Sequence, residues 1–239
     1  NKKDINGHIV LGCSHIYSSN GEGLKYKLAK ISNDKIQWRH KKPHLCYDDA
    51  YEFGKSIVNL FYESMNELPK RVVIHKRTFY TDEEKQGIID SISDNKKIES
   101  IDLIEINFEN NIKYASSKIH DGKVDIDGFS VSRGTCIQLS SKEALLWAHG
   151  VIPSVINPNW NFYPGGRYIP KPLRIIKHYG TGSLEQIANE ILGLTKMNWN
   201  SLNMYSQLPA TISSSNDIAR IGKLIGANSM HEYDYRYFI

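Results

Sequence analysis

The chain has 239 residues, of which 40% are hydrophobic and 23% are charged, and its formal net charge is +4. This composition supplies a core for one large domain or two small ones, and it excludes a disordered chain. No apolar run approaches the roughly 20 residues of a membrane span, and three scattered cysteines without a Cys-x-x-Cys pair favour a reducing cytoplasm over a zinc or disulfide framework.

The beginning of the chain predicts three antiparallel strands. Residues 8–17 carry the apolar Ile9-Val-Leu11, and residues 24–32 alternate apolar and polar side chains as a half-buried strand does. A turn at Asn33-Asp34 leads into a third predicted strand over residues 35–40.

Two helices and two strands are predicted next. Asp48 or Asp49 is expected to cap a helix with apolar residues at helical spacing, which Pro69 ends. The apolar run at residues 72–74 is typical of a central strand, and residues 100–107 predict another. Between these strands, Thr81-Asp-Glu-Glu84 has the capping-box pattern that opens a helix.

The second half of the chain predicts further β-structure and then a long loop. Residues 113–139 are interpreted as strands with turns at Asp121-Gly122 and Asp127-Gly128. Residues 152–172 contain five prolines and two adjacent glycines, a composition that indicates an irregular loop.

Two late helices complete the predicted elements. Ser183-Leu-Glu-Gln186 is a capping box for a helix over residues 184–192, and Ser214-Ser-Asn-Asp217 is expected to open the last helix. The turn Gly180-Thr-Gly-Ser183 is suited to cradling a phosphate, although a plain N-cap turn explains it as well.

Positive charge is concentrated between Ala144 and Leu184. No acidic residue falls in this stretch, which contains Arg167, Lys171, Arg174 and Lys177. Such a stretch predicts a positive surface suited to phosphates, with an ordinary solvated basic loop as the competing interpretation.

Several motifs, in this order, resemble the PIWI domain of prokaryotic Argonautes. They are Pro69-Lys-Arg-Val-Val-Ile-His-Lys-Arg-Thr-Phe79, Leu194-Thr-Lys-Met-Asn-Trp-Asn-Ser201 with Leu208-Pro-Ala-Thr-Ile-Ser213, and the aromatic terminus Tyr235-Arg-Tyr-Phe-Ile239. The resemblance implies an α/β, RNase H-like fold over residues 1–239, with a mixed central sheet, an antiparallel three-stranded start and helices on both faces. It also implies that no MID domain is present in this chain.

The resemblance places the catalytic carboxylates of nuclease members at positions that are largely not acidic here. The first aspartate falls at Ser14, or at Cys13 with a one-residue slip, and the second falls at Arg77 or Lys76. Asp217 lies near the fourth position. Two-metal cleavage needs a cluster of carboxylates, and a cation repels Mg²⁺. The resemblance therefore implies an inactive nuclease site, with an active RNase H-like endonuclease as the alternative.

Other polar residues near these positions have competing interpretations. Asp48, Asp49 and Glu52 lie near the expected place of the family's loop glutamate, but charges at a helix N-terminus explain them better. His15 and His75 flank the two aspartate positions and are interpreted as strand-end polar residues rather than metal ligands.

The resemblance also implies a set of nucleic-acid contacts. Arg220 and Lys223 are spaced to share one face of the last helix, with a solvated helix surface as the alternative interpretation. The assigned residues are Asn198, Asn200, Ser201, Arg220, Lys223, Lys171 and Arg174.

In Argonautes the terminal carboxylate reaches the pocket for the guide 5′ phosphate, and Ile239 would supply it here. Two anions repel each other, so a bridging Mg²⁺ is expected at that place.

The function that the resemblance implies is guide-directed binding without cleavage, in defence against invading DNA. The expected partners are a short guide RNA, a complementary DNA target, a MID domain and a subunit that bears an effector, with no membrane partner. A second alternative is a structural pseudonuclease that acts as a scaffold for a partner protein and binds no nucleic acid.

Overall fold

The structure is a computed structural model that describes residues 2–3, 9–17, 23–31, 36–114, 117–126, 131–152, 170–197, 206–221 and 232–233. The helices in this part of the chain are α1 (Tyr47–Met65), α2 (Asp82–Ser93), α3 (Leu184–Leu194) and α4 (Ala210–Ile221). The strands are β1 (Lys2–Lys3), β2 (Ile9–Tyr17), β3 (Gly23–Ile31), β4 (Gln37–Arg39), β5 (Lys42–His44), β6 (Arg71–Lys76), β7 (Ser100–Phe108), β8 (Ser117–His120), β9 (Lys123–Ile126), β10 (Cys136–Gln138), β11 (Glu143–Leu146), β12 (Leu173–Tyr179) and β13 (Glu232–Tyr233). None of the helices described here combines the length and the apolarity needed to cross a membrane.

The described strands form two larger sheets and two separate hairpins. One sheet has the order β1-β2-β3-β13, and a mixed sheet of five strands has the order β10-β11-β12-β7-β6. The long antiparallel pair of β2 and β3 runs from Ile9 opposite Ile31 to Tyr17 opposite Gly23. The α/β class, the mixed sheet and the antiparallel start of the prediction are confirmed.

The third strand lies where it was predicted, but its predicted pairing with the preceding strand is wrong. Gln37–Arg39 pairs with Lys42–His44 in a hairpin of its own rather than with β3. His40 and Lys41 make the turn, with φ angles of 48° and 60°. Left-handed residues at both central positions close tight hairpins, but the usual Asn and Gly of such turns are absent. The predicted turn at Asn33-Asp34 lies outside the described residues.

The chain folds as two compact units. The first comprises Asn1–Ile104, His178–Thr181 and Thr211–Ile239, and the second comprises Glu105–Lys177 and Gly182–Ala210. The core of the first unit is formed by apolar side chains of α1, α2 and their neighbouring strands, which include Ala50, Ile57, Val58, Val72, Ile88, Ile92 and Leu103. The regular apolar spacing of α1 and α2 supplies this core.

Strands β11 and β12 were not predicted from the sequence. β11 pairs antiparallel with both β10 and β12, and Leu145 lies opposite Arg174. Val131, Leu145 and Trp147 form a buried cluster here, and the Trp147 Nε1–H donates to the Pro170 carbonyl at 3.2 Å. Because the indole N–H has this hydrogen-bond partner, the complete burial of Trp147 leaves no unpaired polar group on its ring.

The observed starts of the helices confirm two predicted caps and correct two others. The side chains of Thr81 and Ser183 accept hydrogen bonds from Glu84 N–H and Gln186 N–H, as the capping-box patterns predict. Helix α1, in contrast, begins after Cys46, whose side chain makes no capping bond. Asp48 and Asp49 lie in its first turn, where the helix dipole favours negative charge.

The last helix begins earlier than the sequence predicts. Helix α4 starts at Ala210, directly after Pro209, so Ser214-Ser-Asn-Asp217 lies inside it. The Ser215 hydroxyl donates to the Thr211 carbonyl at 2.6 Å, one turn back along the helix. A serine with this bond can sit within a helix instead of capping one.

Gly180 occupies a position that no other residue can fill without strain. Its φ is +115°, and a Cβ would lie 2.1 Å from Asp102 Oδ1 and 2.5 Å from the Ile101 carbonyl oxygen. Asp102 is fully buried and accepts a 2.8 Å hydrogen bond from Arg71 Nε. We expect Gly180→Ala to lower the free energy of unfolding by at least about 2–3 kcal/mol, measured by urea denaturation.

The matched control is Gly193→Ala in α3, where a Cβ meets no atom within 4 Å. Alanine has the higher helix propensity, so this variant should gain about 0.5–1 kcal/mol. Equal effects of the two substitutions would contradict the assigned role of Gly180.

Candidate functional site

The end of β6 carries two consecutive cations. Lys76 is the last residue of the strand and Arg77 follows it. The Lys76 ammonium pairs with the carboxylate of Glu84, whose side chain is only 3% exposed. Arg77 is half-buried, and this burial lowers the pKa of its guanidinium from the ordinary value. Both positions assigned to the second aspartate of nuclease members are therefore occupied by positive side chains.

Glu84 has two structural roles. The sequence predicted its capping role, and it did not predict its pairing with Lys76. Its backbone N–H donates to Thr81 Oγ1 at 3.2 Å, as in a capping box. Its carboxylate turns to Lys76 and lies 3.5 Å from His44 Nδ1. Burial by itself raises the pKa of this carboxyl, but the contact with His44 and the charge of Lys76 hold it below its usual value. Lys76 and Glu84 meet through the turn that joins β6 to α2, and no local pattern signals that pairing.

The other two assigned carboxylate positions lie on β2 and α4. Ser14 is opposite Tyr26 in the β2–β3 ladder, which confirms that it lies on a strand. Asp217 lies on α4 with its side chain 61% exposed, and its Oδ1 is 3.4 Å from Arg220 Nη2. An exposed pair of this kind holds its partners weakly. Among the described residues, no group of three or more His, Cys, Asp or Glu side chains could hold a metal ion.

His75 connects β6 to the start of α4. Its Nδ1 lies 2.9 Å from Thr211 Oγ1, and its Nε2 is buried without a hydrogen-bond partner in the described part of the chain. Burial, reinforced by the charge of Arg71, lowers the pKa of His75 to about 4. The imidazole is therefore neutral at pH 7. Its contact with Thr211 is a structural one that joins β6 to α4. The side chain of His15 lies outside the described residues.

The basic stretch predicted from the sequence is partly neutralised by carboxylates from outside it. Arg174 Nε donates to Glu143 Oε1 at 2.6 Å, and its Nη1 lies 3.5 Å from Glu109 Oε2. The bond to Glu143 is the main reason that the pKa of Arg174 is raised. Lys171 Nζ donates to the neutral amide oxygen of Asn110 at 3.0 Å, so its charge is not cancelled by that contact. Glu143 and Glu109 lie outside the stretch between Ala144 and Leu184, so the composition of that stretch could not predict these ion pairs.

The start of the Leu194–Ser201 motif is anchored by an arginine. Thr195 is fully buried, and its hydroxyl accepts a 2.6 Å hydrogen bond from Arg133 Nη2. Arg133 also donates to the Leu192 carbonyl at the end of α3. Five residues assigned to nucleic-acid or metal contacts lie outside the described residues: Asn198, Asn200, Ser201, Lys223 and Ile239.

No family model and no curated protein matches this chain. Solved structures of Argonautes do match it. A crystal structure of the Aquifex aeolicus protein superposes with a TM-score of 0.62 at 19% identity, covering 93% of this chain and 27% of that one. Clostridium butyricum Argonaute, solved with a guide DNA and a 19-mer target DNA, gives a TM-score of 0.60 at 17% identity over 100% of this chain and 30% of that one.

A third match is Marinitoga piezophila Argonaute in complex with a 5′ OH guide RNA and target DNA. Its TM-score is 0.55 at 16% identity, covering 83% of this chain and 25% of that one. The chain thus spans less than a third of the length of these proteins. The likeness shows a PIWI-like, RNase H-like fold, as the sequence motifs predicted, and at these identities it shows the fold alone.

The buried His75 predicts a loss of stability in acid. Its pKa is about 4 in the folded chain and near 6.5 when unfolded, so the unfolded chain binds the proton more readily between these values. Stability should therefore fall as the pH drops from 6.5 to 4, by about 3 kcal/mol from this group. We expect His75→Gln to show that much less acid sensitivity in urea titrations across this range. The exposed His40 provides the control: His40→Gln should follow the wild type. Parallel pH profiles for the wild type and His75→Gln would contradict the assignment.

Proposed function

We propose that this chain is the PIWI domain of a short prokaryotic Argonaute that binds nucleic acid under the direction of a guide and does not cleave it. The observation that supports the proposal is the pair of cations at the end of β6, where the family resemblance places an aspartate of the nuclease members. The Clostridium and Marinitoga proteins with this fold were solved with a guide and a target. Pairing between guide and target supplies the sequence specificity in such complexes, so the protein needs only backbone contacts.

The charges at the end of β6 favour phosphate binding over metal catalysis. Cleavage by two metal ions requires converging carboxylates. Here the buried carboxylate of Glu84, which contacts this strand end, is already paired with the Lys76 ammonium. A guanidinium such as that of Arg77 suits phosphate oxygens. The same strand end that positions a metal ligand in a nuclease would therefore contribute positive charge toward the nucleic-acid backbone.

The wider role that we propose follows the family resemblance. A short guide RNA would pair with invading DNA, and a MID domain would complete the pocket for the guide 5′ end. A partner subunit would carry the effector that responds to target recognition in the cytoplasm. The proposed Mg²⁺ bridge from the Ile239 carboxylate to the 5′ phosphate stays a prediction, because Ile239 lies outside the described residues.

We expect no cleavage of a guide-matched RNA or DNA target in Mg²⁺ or Mn²⁺. The assembled complex would be loaded with a 5′-labelled guide, and target binding would be measured on the same samples that are run on a denaturing gel. Binding without a cut product supports the proposal. Guide-dependent cleavage that Asp217→Ala abolishes would establish the active endonuclease instead. Failure to bind any target, with no short RNA in the purified complex, would favour the scaffold interpretation.

We expect nucleic-acid binding to depend on the face of α4 that carries Arg220, whose side chain is 68% exposed. Replacing Arg220 and Lys223 with Ala should weaken binding to all sequences and flatten the slope of log affinity against log salt. The change should be about one unit per lost phosphate contact. Lys55→Ala, at an exposed position of α1, provides the control. An unchanged slope in filter-binding titrations of the double variant would place the nucleic acid elsewhere.

A further inference from the structure

Three segments of the first unit converge around the Lys76 side chain. His44 comes from the end of the β4–β5 hairpin, Phe79 and Tyr80 from the turn after β6, and Glu84 from the first turn of α2. We propose that these groups form a binding site for a primary ammonium ion, and that the chain fills the site with its own Lys76. We call this arrangement the ammonium cage.

The groups of the ammonium cage are complementary to a primary ammonium in charge and in hydrogen bonding. Nζ of Lys76 pairs with Glu84 Oε2, and it lies 3.4 Å from His44 Nδ1 and 3.4 Å from the Phe79 carbonyl oxygen. The ring of Tyr80 covers it, with Nζ 5.1 Å from the ring centroid. The Glu84 carboxylate and the Phe79 carbonyl accept from the ammonium, and the carboxylate and the aromatic face of Tyr80 are complementary to its charge.

The walls of the cage are fixed by contacts that do not involve the lysine. The rings of His44 and Phe79 lie with their centroids 4.4 Å apart. The Tyr80 hydroxyl donates to the Ile74 carbonyl at 3.0 Å. The backbone of Glu84 is held by its N–H bond to Thr81 at the start of α2, and its carboxylate also contacts His44. Because each wall has its own support, the site should keep its shape when the lysine side chain is shortened.

Burial distinguishes this cage from an ordinary surface ion pair. The side chains of His44 and Glu84 are 0% and 3% exposed, and that of Lys76 is 20% exposed. Removing the ammonium would leave the Glu84 carboxylate buried without its countercharge, which is strongly unfavourable. The pair of Lys85 and Asp82 on the same helix has side chains 31% and 98% exposed, so the loss of Lys85 should have little effect.

The test is chemical rescue of Lys76→Ala. This variant lacks three methylenes and the ammonium, which n-propylammonium replaces atom for atom. We expect Lys76→Ala to lower the Tm by on the order of 10 °C, and n-propylammonium chloride to restore at least half of that loss. Tetramethylammonium chloride at equal concentration has no N–H donor and should not rescue. Two control variants should be insensitive to both salts. They are Lys76→Met, in which a neutral side chain occupies the space of the lysine side chain, and Lys85→Ala.

A folded Lys76→Ala variant that n-propylammonium stabilises no more than tetramethylammonium does would overturn the proposal. A second measurement on the wild-type chain covers the case in which this variant fails to fold. Under limiting acetic anhydride, mass spectrometry should show Lys76 acetylated about tenfold more slowly than Lys85, because its amine must first leave the cage. Equal acetylation rates of the two lysines would also overturn the proposal.

Discussion

The buried carboxylate of Glu84 is the constraint on which the stability of the end of β6 depends. An almost fully buried carboxylate requires a countercharge, and the Lys76 ammonium supplies it from the adjacent strand end. The pair thereby joins the strand to the first turn of α2. His44 brings the β4–β5 hairpin to the same point. The charge of one buried carboxylate thus brings together groups from three segments at the end of β6.

The same requirement for pairing recurs elsewhere in the first unit. Asp102 is fully buried on β7 and is bonded to Arg71 at the start of β6. His75, on the same strand, needs no countercharge because it remains neutral, and it contacts a hydroxyl group of α4. Strand β6 therefore has a polar partner at its start, near its end and at its last residue. These contacts align β6 with its neighbours more specifically than apolar packing alone does.

The charge that remains available for a ligand is distributed differently from what the sequence indicates. Arg174 lies in the stretch without acidic residues, yet it is bonded to Glu143 and lies close to Glu109. Arg220 pairs with an exposed carboxylate one turn away on α4, and its own side chain is largely in solvent. Exposed pairs exchange readily for contacts with phosphate, whereas a bonded and partly enclosed pair does so at a higher cost. Helix α4 is for this reason the better candidate for a nucleic-acid contact.

Much of the secondary structure was determined by local sequence. The alternation in β3, the apolar run in β6 and the caps at Thr81 and Ser183 are short-range signals, and each produced the expected element. Local signals failed where the partner was distant or the pattern was ambiguous. Strands β11 and β12 were not predicted, and the His40-Lys41 turn lacks the usual turn residues.

The family motifs in the sequence were sufficient to predict the RNase H-like fold, because they record the order of elements along the chain. They also led to the assignment of Arg77 or Lys76 to the second aspartate position of the family, which stays a prediction. The environment of those cations was decided only by tertiary structure. Glu84 appeared in the sequence as a helix-capping residue, and its carboxylate became the partner of Lys76 because the turn after β6 folds back onto β6. Burial and contacts between residues distant in sequence determine the charge of a site. Neither can be predicted from a short stretch of the sequence.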